Sequence, residues 1–335
     1  MKEYQAYQKA FILASFETDL KKRCYLADNA LANFRRTSEA DKVIAKMEKY
    51  GISVITSEDD EYPGRLQQLN YAPPALYYKG NLDLLKTDCV TIVGSRRASR
   101  YGVEAAEYFA SGLAERGITI VSGLAMGIDA AAHRGALKSK GNTIAIMACG
   151  LDRVYPQENA ELMEEIAQKG LLLSEYPPGT PPLAFRFPER NRIMATISKG
   201  VLVAEAGKKS GALITADCAL EMGKELWVVP GNIFSRSCEG SNELLKECGR
   251  LVTRIGDIIA DTGGEDDGVN LVGLTENEKL VLEAIDREGT AHYSRLAQDT
   301  GISIPDIAKL LMKLELNGIV KRHTGNYYSI AKNRH

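Results

Sequence analysis

Residues 88–123 read DCVTIVGSRRASRYGVEAAEYFASGLAERGITIVSG, and the reading of this stretch decides the fold. It opens with an apolar, β-branched run that stops at Gly94, continues as a helical run closed by Gly117, and returns to an apolar run, ITIVSG. Strands without polar alternation, joined by a helix, belong to a parallel sheet covered on both faces. Downstream the pattern repeats: GIDAAAHRGALKSKG is a helix, NTIAIMACG a strand, and GLLLSEYP, GVLVAEA and ELWVVPG are further strands at helical separation. The expected centre of the molecule is an α/β, Rossmann-like domain with a mainly parallel sheet over residues 86–262.

Working outward, residues 1–85 read as a helical module, with AYQKAFILASF and SEADKVIAKMEKYG as amphipathic pieces and a proline-marked connector behind them. On the other side, DTGGEDDGVN is an acidic, glycine-rich linker, placed at 263–273, and residues 274–335 begin a new unit. There Thr275 and Ser303 are expected N-caps, Gly301 and Gly318 expected helix stops, and Thr324-Gly325-Asn326 a bend between two strand-like arms. Three short helices followed by a hairpin are the layout of a winged helix.

With 335 residues the chain calls for two or three domains, and 44% hydrophobic side chains supply an ample core. The 42 basic and 44 acidic residues give a formal charge of −2, so any polyanion site must be a local concentration of cations. Six cysteines are scattered without a C-x-x-C pair or zinc spacing, so no metal is expected. The start, MKEYQAYQKAFILASFETD, has no signal-peptide run, and no stretch approaches the roughly 18 apolar residues of a membrane span. A cytoplasmic protein without membrane contact is expected.

Ligands of such sheets lie beyond the carboxyl ends of the strands. Those ends read VGSRRASRYG, VSGLAMGID, ACGLDRVYP, SEYPPGTPP, AEAGKKSGALITA and VPGNI. The first is not a dinucleotide fingerprint, because Ser95, Arg96 and Arg97 follow Gly94. AGKKSG is not a Walker A loop either, since Leu202 stands where a glycine is needed. No nucleotide cofactor is therefore expected. Asp129 and His133, four apart on one helix face, could serve proton transfer, but a structural pair is the favoured reading.

FPERNRIMATIS, residues 187–198, places Arg190 and Arg192 near a helix start, where cations are mildly unfavourable. Either Glu175, Glu189 or Glu205 pairs with them, or an anion does. With Arg96, Arg97, Arg100, Lys199, Lys208 and Lys209 placed at the same sheet edge, phosphate is the expected partner.

Taken in order, VGSRRASRYG, SGLAMGIDAAAH, YPQEN, SEYPPGTPP, FPERNRI, EAGKKSGALITA and VPGN followed by GSNELLKECG resemble the DNA-processing protein A family (DprA, also called Smf), over residues 60 to 260. The resemblance implies an extended Rossmann fold, single-stranded DNA binding, a homodimer, and loading of the RecA recombinase in natural transformation, with no catalysis. Carried over by position, it places Ser95, Arg96, Ser122, Gly123, Gly127, Arg190, Asn191, Arg192, Ser210, Gly211 and Thr215 in the DNA pocket, with Lys199 beside them. Many family members also carry an N-terminal module resembling a sterile-alpha-motif domain and a C-terminal winged helix. The competing reading is a nucleoside-monophosphate phosphoribohydrolase of the lysine-decarboxylase-like Rossmann group, whose P-G-G-x-G-T-x-x-E loop is absent here. A third is a transcriptional regulator acting through the winged helix.

Overall fold

The computed structural model describes residues 38–262, 275–316 and 319–330. The contacts divide the chain into two units, one up to Gly264 and one from Glu265. Most of the N-terminal module expected from the sequence, the interdomain linker and Gly318 lie outside the described residues.

In the larger unit, helix α1 (Ser38–Tyr50) leads into strand β1 (Ser53–Thr56) and, after a short 3-10 turn, β2 (Ala75–Gly80). Strands β3 (Cys89–Gly94), β4 (Thr119–Ser122), β5 (Thr143–Met147), β6 (Leu171–Ser174), β7 (Gly200–Glu205) and β8 (Glu225–Val228) follow, with the two-residue β9 (Arg250–Leu251) at the end. Between them run α2 (Arg100–Glu115), α3 (Ile128–Lys138), α4 (Ala160–Lys169), α5 (Arg186–Ile197), α6 (Gly211–Glu221) and α7 (Glu239–Glu247), and α8 (Gly256–Thr262) closes the unit. The nine strands form one sheet in the order β1-β2-β6-β5-β4-β3-β7-β8-β9. Pairing is parallel from β6 through β9, whereas β1–β2 and β2–β6 are antiparallel.

The mainly parallel Rossmann-like sheet expected from the sequence is present, and all six strands read from the apolar runs are found. The boundary near residue 85 is corrected: β1 and β2 extend the sheet across it, because Tyr77 and Tyr78 pair with Ser174 and Leu173 of β6. Tyr77 and Leu76 are fully buried, so this segment is part of the core. Ladder and apolar face together hold what its prolines made look like a connector.

Every strand from β3 to β8 is almost wholly buried because helices cover both faces. One face packs Val93, Val121, Val201 and Val203 against Ile193 and Ile197 of α5 and Ala212 and Ala216 of α6. The other packs Ile92, Ile120, Leu202 and Trp227 against Phe109 and Leu113 of α2 and Ala132 and Ala136 of α3. Chain direction across the sheet reverses between β3 and β7: β4, β5 and β6 lie on one side of β3, and β7 and β8 on the other. That reversal opens a crevice at the carboxyl ends of β3 and β7.

The smaller unit holds α9 (Glu276–Glu288), β10 (Ala291–His292), α10 (Tyr293–Thr300), α11 (Ile304–Leu316), β11 (Val320–His323) and β12 (Tyr327–Ile330), with sheet order β10-β12-β11. This is the expected winged helix. Thr275 caps α9 in a reciprocal box with Glu278, and Gly301 ends α10 in the left-handed region. Gly325 and Asn326 turn the hairpin at positive φ. Glu278 Oε1 also lies 2.7 Å from Lys313 Nζ, and this ion-pair contact is the main cause that lowers its pKa from the ordinary glutamate value. Among the described residues no helix is long and apolar enough to cross a membrane.

Candidate nucleic-acid interface

The crevice is floored by the loop after β3. Gly94 ends the strand where a Cβ would strike Ile128, so the loops after β3 and β4 lie in direct contact. Ser95 N donates to the Glu205 carbonyl (2.8 Å), Ile128 N to the Ser95 carbonyl (3.2 Å), and Arg97 N to Ser95 Oγ (3.2 Å). Gly127, at φ +75°, has no room for a side chain against the Ser95 and Arg96 carbonyls. The backbone of Ser95–Arg97 is thereby fixed from three sides, and the Arg96 side chain projects into solvent. Its guanidinium lies 4.9 Å from the centre of the Phe187 ring, which in turn touches Tyr155 at 5.6 Å. Among the described residues neither Arg96 nor Arg97 has an ion-pair partner.

Helix α5 behaves differently. It starts at Arg186, two residues before the proline that marked its expected start, so Arg190 and Arg192 lie beyond the first turn. The electrostatic misfit falls on Arg186 instead. That side chain is buried, donates to the Pro181 carbonyl, and sits against the rings of Tyr176 (5.1 Å) and Phe185 (5.2 Å).

Arg190 is 3% exposed. Its Nη1 donates to the Gly123 carbonyl (2.8 Å) and to the Ile146 carbonyl, and its Nε to Asn191 Oδ1 (3.1 Å). It clamps the ends of β4 and β5 together. Gly123 is glycine because a Cβ there would enter the Arg190 guanidinium. Arg192 donates to Glu175 Oε2 (2.6 Å) and to the Tyr71 carbonyl (2.7 Å). Of the three glutamates named as pairing candidates, Glu175 takes Arg192. Glu189 accepts from the Tyr176 hydroxyl (2.7 Å), and Glu205 accepts from Ser99 N (2.9 Å) and Ser99 Oγ.

Arg190 borders a buried polar cluster. Burial raises the Asp129 pKa, opposed by the nearby Arg190 charge, and burial lowers that of Arg190, opposed by Asp129. His133 Nδ1 lies 2.7 Å from Thr143 Oγ1, whose proton goes to the Ile120 carbonyl (2.8 Å), so Nδ1 carries the ring proton. Burial, with Arg190 and Arg134 adding repulsion, pushes the His133 pKa down to about 3. The ring is neutral and bonded to Thr143 rather than to Asp129, whose Oδ2 accepts from Ala125 N (3.4 Å), so the two are not joined as the pair that the sequence spacing suggested.

The other expected site residues sort by exposure. Ser210 caps α6 through Ala212 N (3.3 Å), and Gly211 is exposed with open space around it. Asn191 Nδ2 reaches the Gly211 carbonyl at 3.4 Å, so α5 meets the start of α6. Thr215 is 1% exposed, and its hydroxyl is buried without a hydrogen-bond partner. Ser122 is fully buried, and its Oγ donates to the Ile92 carbonyl (2.6 Å), joining β4 to β3. Lys199 is a correction: it precedes β7, so it lies at the amino edge of the sheet, where it pairs with Asp88 (2.8 Å). Lys208 pairs with Glu243 (3.1 Å) and Arg100 with Glu104 (2.8 Å), while Lys209 is exposed.

Sequence reasoning missed the aromatic side of this edge. Tyr155, Phe185 and Phe187 come from the loops after β5 and β6 and from the first turn of α5. Their signal was present in the alternation of FRFP with arginine. The carboxyl edge thus joins an exposed arginine fork and partly exposed aromatic rings, and can hold anionic groups beside flat apolar ones.

Comparison with known proteins agrees with this architecture. The family model of DNA recombination-mediator protein A matches residues 53–263, and that of the DprA winged helix domain matches residues 270–326. The chain is 47% identical over 203 residues to the DNA processing protein DprA of Streptococcus pneumoniae, covering 61% of this chain and 72% of the relative. It is 36% identical over 293 residues to the Smf protein of Escherichia coli, covering 84% of this chain and 78% of the relative. The crystal structure of the S. pneumoniae protein superposes with a TM-score of 0.63 at 38% identity, covering 77% of this chain and 96% of that one. A structure of DNA processing protein A from Helicobacter pylori, solved to explain its single-stranded DNA binding mode, superposes at 0.58 and 34% identity, covering 62% of this chain and 94% of that one. By the match of both of its units, this chain belongs to the DNA recombination-mediator protein A (DprA/Smf) family.

Proposed function

We propose that the protein binds single-stranded DNA along the carboxyl edge of its larger sheet and acts as a recombination mediator. The observation that carries the reading is Arg96, an exposed arginine that has no ion-pair partner among the described residues and lies over the Phe187 ring at the topological switch point. A guanidinium so placed offers its fork to a phosphate, while the neighbouring rings present π faces to unstacked bases. Arg190 and Arg192 serve this site from beneath: one fixes the ends of β4 and β5, the other fixes α5 against Glu175 and Tyr71. The relative from H. pylori, described for its single-stranded DNA binding, supports the choice of ligand.

In this reading the protein works in the cytoplasm as a homodimer without turnover, protecting incoming DNA and handing the strand to RecA in natural transformation. The phosphoribohydrolase alternative is disfavoured by the loop after β7, which lacks the P-G-G-x-G-T-x-x-E motif. Glu205, which ends β7 where that loop begins, is buried and engaged by Ser99.

The test is a salt titration of binding to single-stranded and duplex oligonucleotides of matched sequence. The reading predicts preference for the single strand, with affinity falling linearly on a log–log salt plot. Salt-independent binding, or equal affinity for duplex, contradicts it.

A further inference from the structure

The loop after β8 carries the most exposed apolar side chains among the described residues: Phe234 is 90% exposed and Ile233 78%. The loop is firmly shaped. Asn232 Oδ1 accepts from Phe234 N (2.9 Å), and the Asn232 carbonyl accepts from Ser235 N (3.0 Å). At its base, Gly231 and Asn242 exchange two hydrogen bonds (3.1 and 3.2 Å), and the Tyr101 hydroxyl donates to the Pro230 carbonyl (2.8 Å). An apolar tip held this way is presented to something, since exposed phenylalanine on a defined turn gains nothing from water.

Its surroundings indicate what. Arg236 follows two residues on, Gly207 packs against the Arg236 carbonyl, and Lys209 stands two residues further along that same β7 loop, after the paired Lys208. Among the described residues none of Arg97, Lys209 and Arg236 has an ion-pair partner. The β8 end lies two strand spacings from the β3 end that bears Arg96, about 10 Å away. An exposed aromatic side chain two residues before Arg236, with Lys209 and Arg97 in the neighbouring β7 and β3 loops of the same sheet edge, is complementary to an anionic chain with flat apolar side groups.

We infer that Phe234 is a base-stacking platform that extends the single-strand path from Arg96 across β7 to the β8 loop. The inference rests on the single-stranded DNA reading above. It assigns the loop a length-dependent role: strands confined to the Arg96 crevice do not reach it, and longer strands stack a base on it.

The experiment uses the full chain and oligothymidylates of about six and about twenty nucleotides. Phe234→Ala is expected to weaken the longer oligonucleotide about 5-fold or more and leave the shorter one unchanged. Phe234→Leu is expected to behave like Phe234→Ala, because it keeps apolar bulk but loses the π face. Phe234→Trp supplies a direct probe, since the single native tryptophan, Trp227, is fully buried. Its emission is expected to be quenched by the longer strand. Unchanged affinity in Phe234→Ala overturns the inference, as does unquenched emission in Phe234→Trp. A shift in oligomer mass in Phe234→Ala also overturns it and assigns the tip to a second copy of the chain. If the wild type binds DNA and Arg96→Ala abolishes that binding while Phe234→Ala does not weaken it, only this inference fails. Absence of binding in the wild type overturns both.

Discussion

Two arginine-bearing segments meet at one sheet edge, and their side chains do opposite things. The β3 loop holds its backbone rigid and leaves Arg96 in solvent against Phe187. Helix α5 buries Arg190 among backbone carbonyls and commits Arg192 to Glu175 and Tyr71. The first is free to exchange water for a phosphate. The second has already exchanged it for the protein. Equal charge therefore has unequal consequences: α5 commits its arginines to stability and shape, and the β3 loop is the segment proposed to supply affinity.

The largest effect on stability is expected from Arg190→Ala. It leaves the Gly123 and Ile146 carbonyls unpaired and Asp129 without its buried counter-charge, so unfolding by urea should show a loss of about 3–5 kcal/mol. A loss below about 1 kcal/mol would mean that Arg190 is not a structural clamp and would erase the contrast with Arg96.

Acid should expose the same buried cluster. His133 has its folded pKa lowered to about 3 from 6.5, chiefly by burial, so the unfolded chain takes up a proton that the folded one refuses. Stability is then unaffected above about pH 6.5 and declines as pH falls, by up to about 1.4 kcal/mol per unit, levelling near pH 3. Comparing the pH dependence of unfolding in wild type and His133→Gln isolates this contribution. An identical slope in both contradicts the neutral, Thr143-bonded ring.

A smaller loss is expected from Arg192→Ala, about 2 kcal/mol, because its side chain is partly exposed and water can replace some of its bonds to Glu175 and Tyr71. Thermal unfolding reads it. A variant as stable as wild type would place Arg192 with Arg96 among the available cations, breaking the division between the two segments.

The strands from β3 to β8 were legible because a strand buried on both faces must be apolar throughout, and nothing else in a chain of this composition reads that way. The winged helix was legible from its caps, with Thr275 and Ser303 at helix starts and Gly301 at a stop. β1 and β2 were not, since SVIT is short and ALYYKG follows two prolines; β2 acquires strand character from β6 beside it, and β1 from β2. At the site, the sequence located the basic loops but could not register how each cation is spent. Arg192 and Glu175 are 17 residues apart and Arg190 and Gly123 67, separations at which only the folded sheet brings partners together. Lys199 was misplaced for a simpler reason: it precedes its strand, and the two ends of a parallel strand face opposite edges.

Arg96 is the cation proposed to hold the phosphate. The most direct test is single-stranded DNA binding by Arg96→Ala across a salt series, with unfolding followed in parallel. Stability is expected to stay within about 0.5 kcal/mol of wild type, with affinity weakened at least about tenfold and a salt slope shallower by about one. A folded Arg96→Ala protein that binds the strand with unchanged affinity and unchanged salt slope would contradict this role.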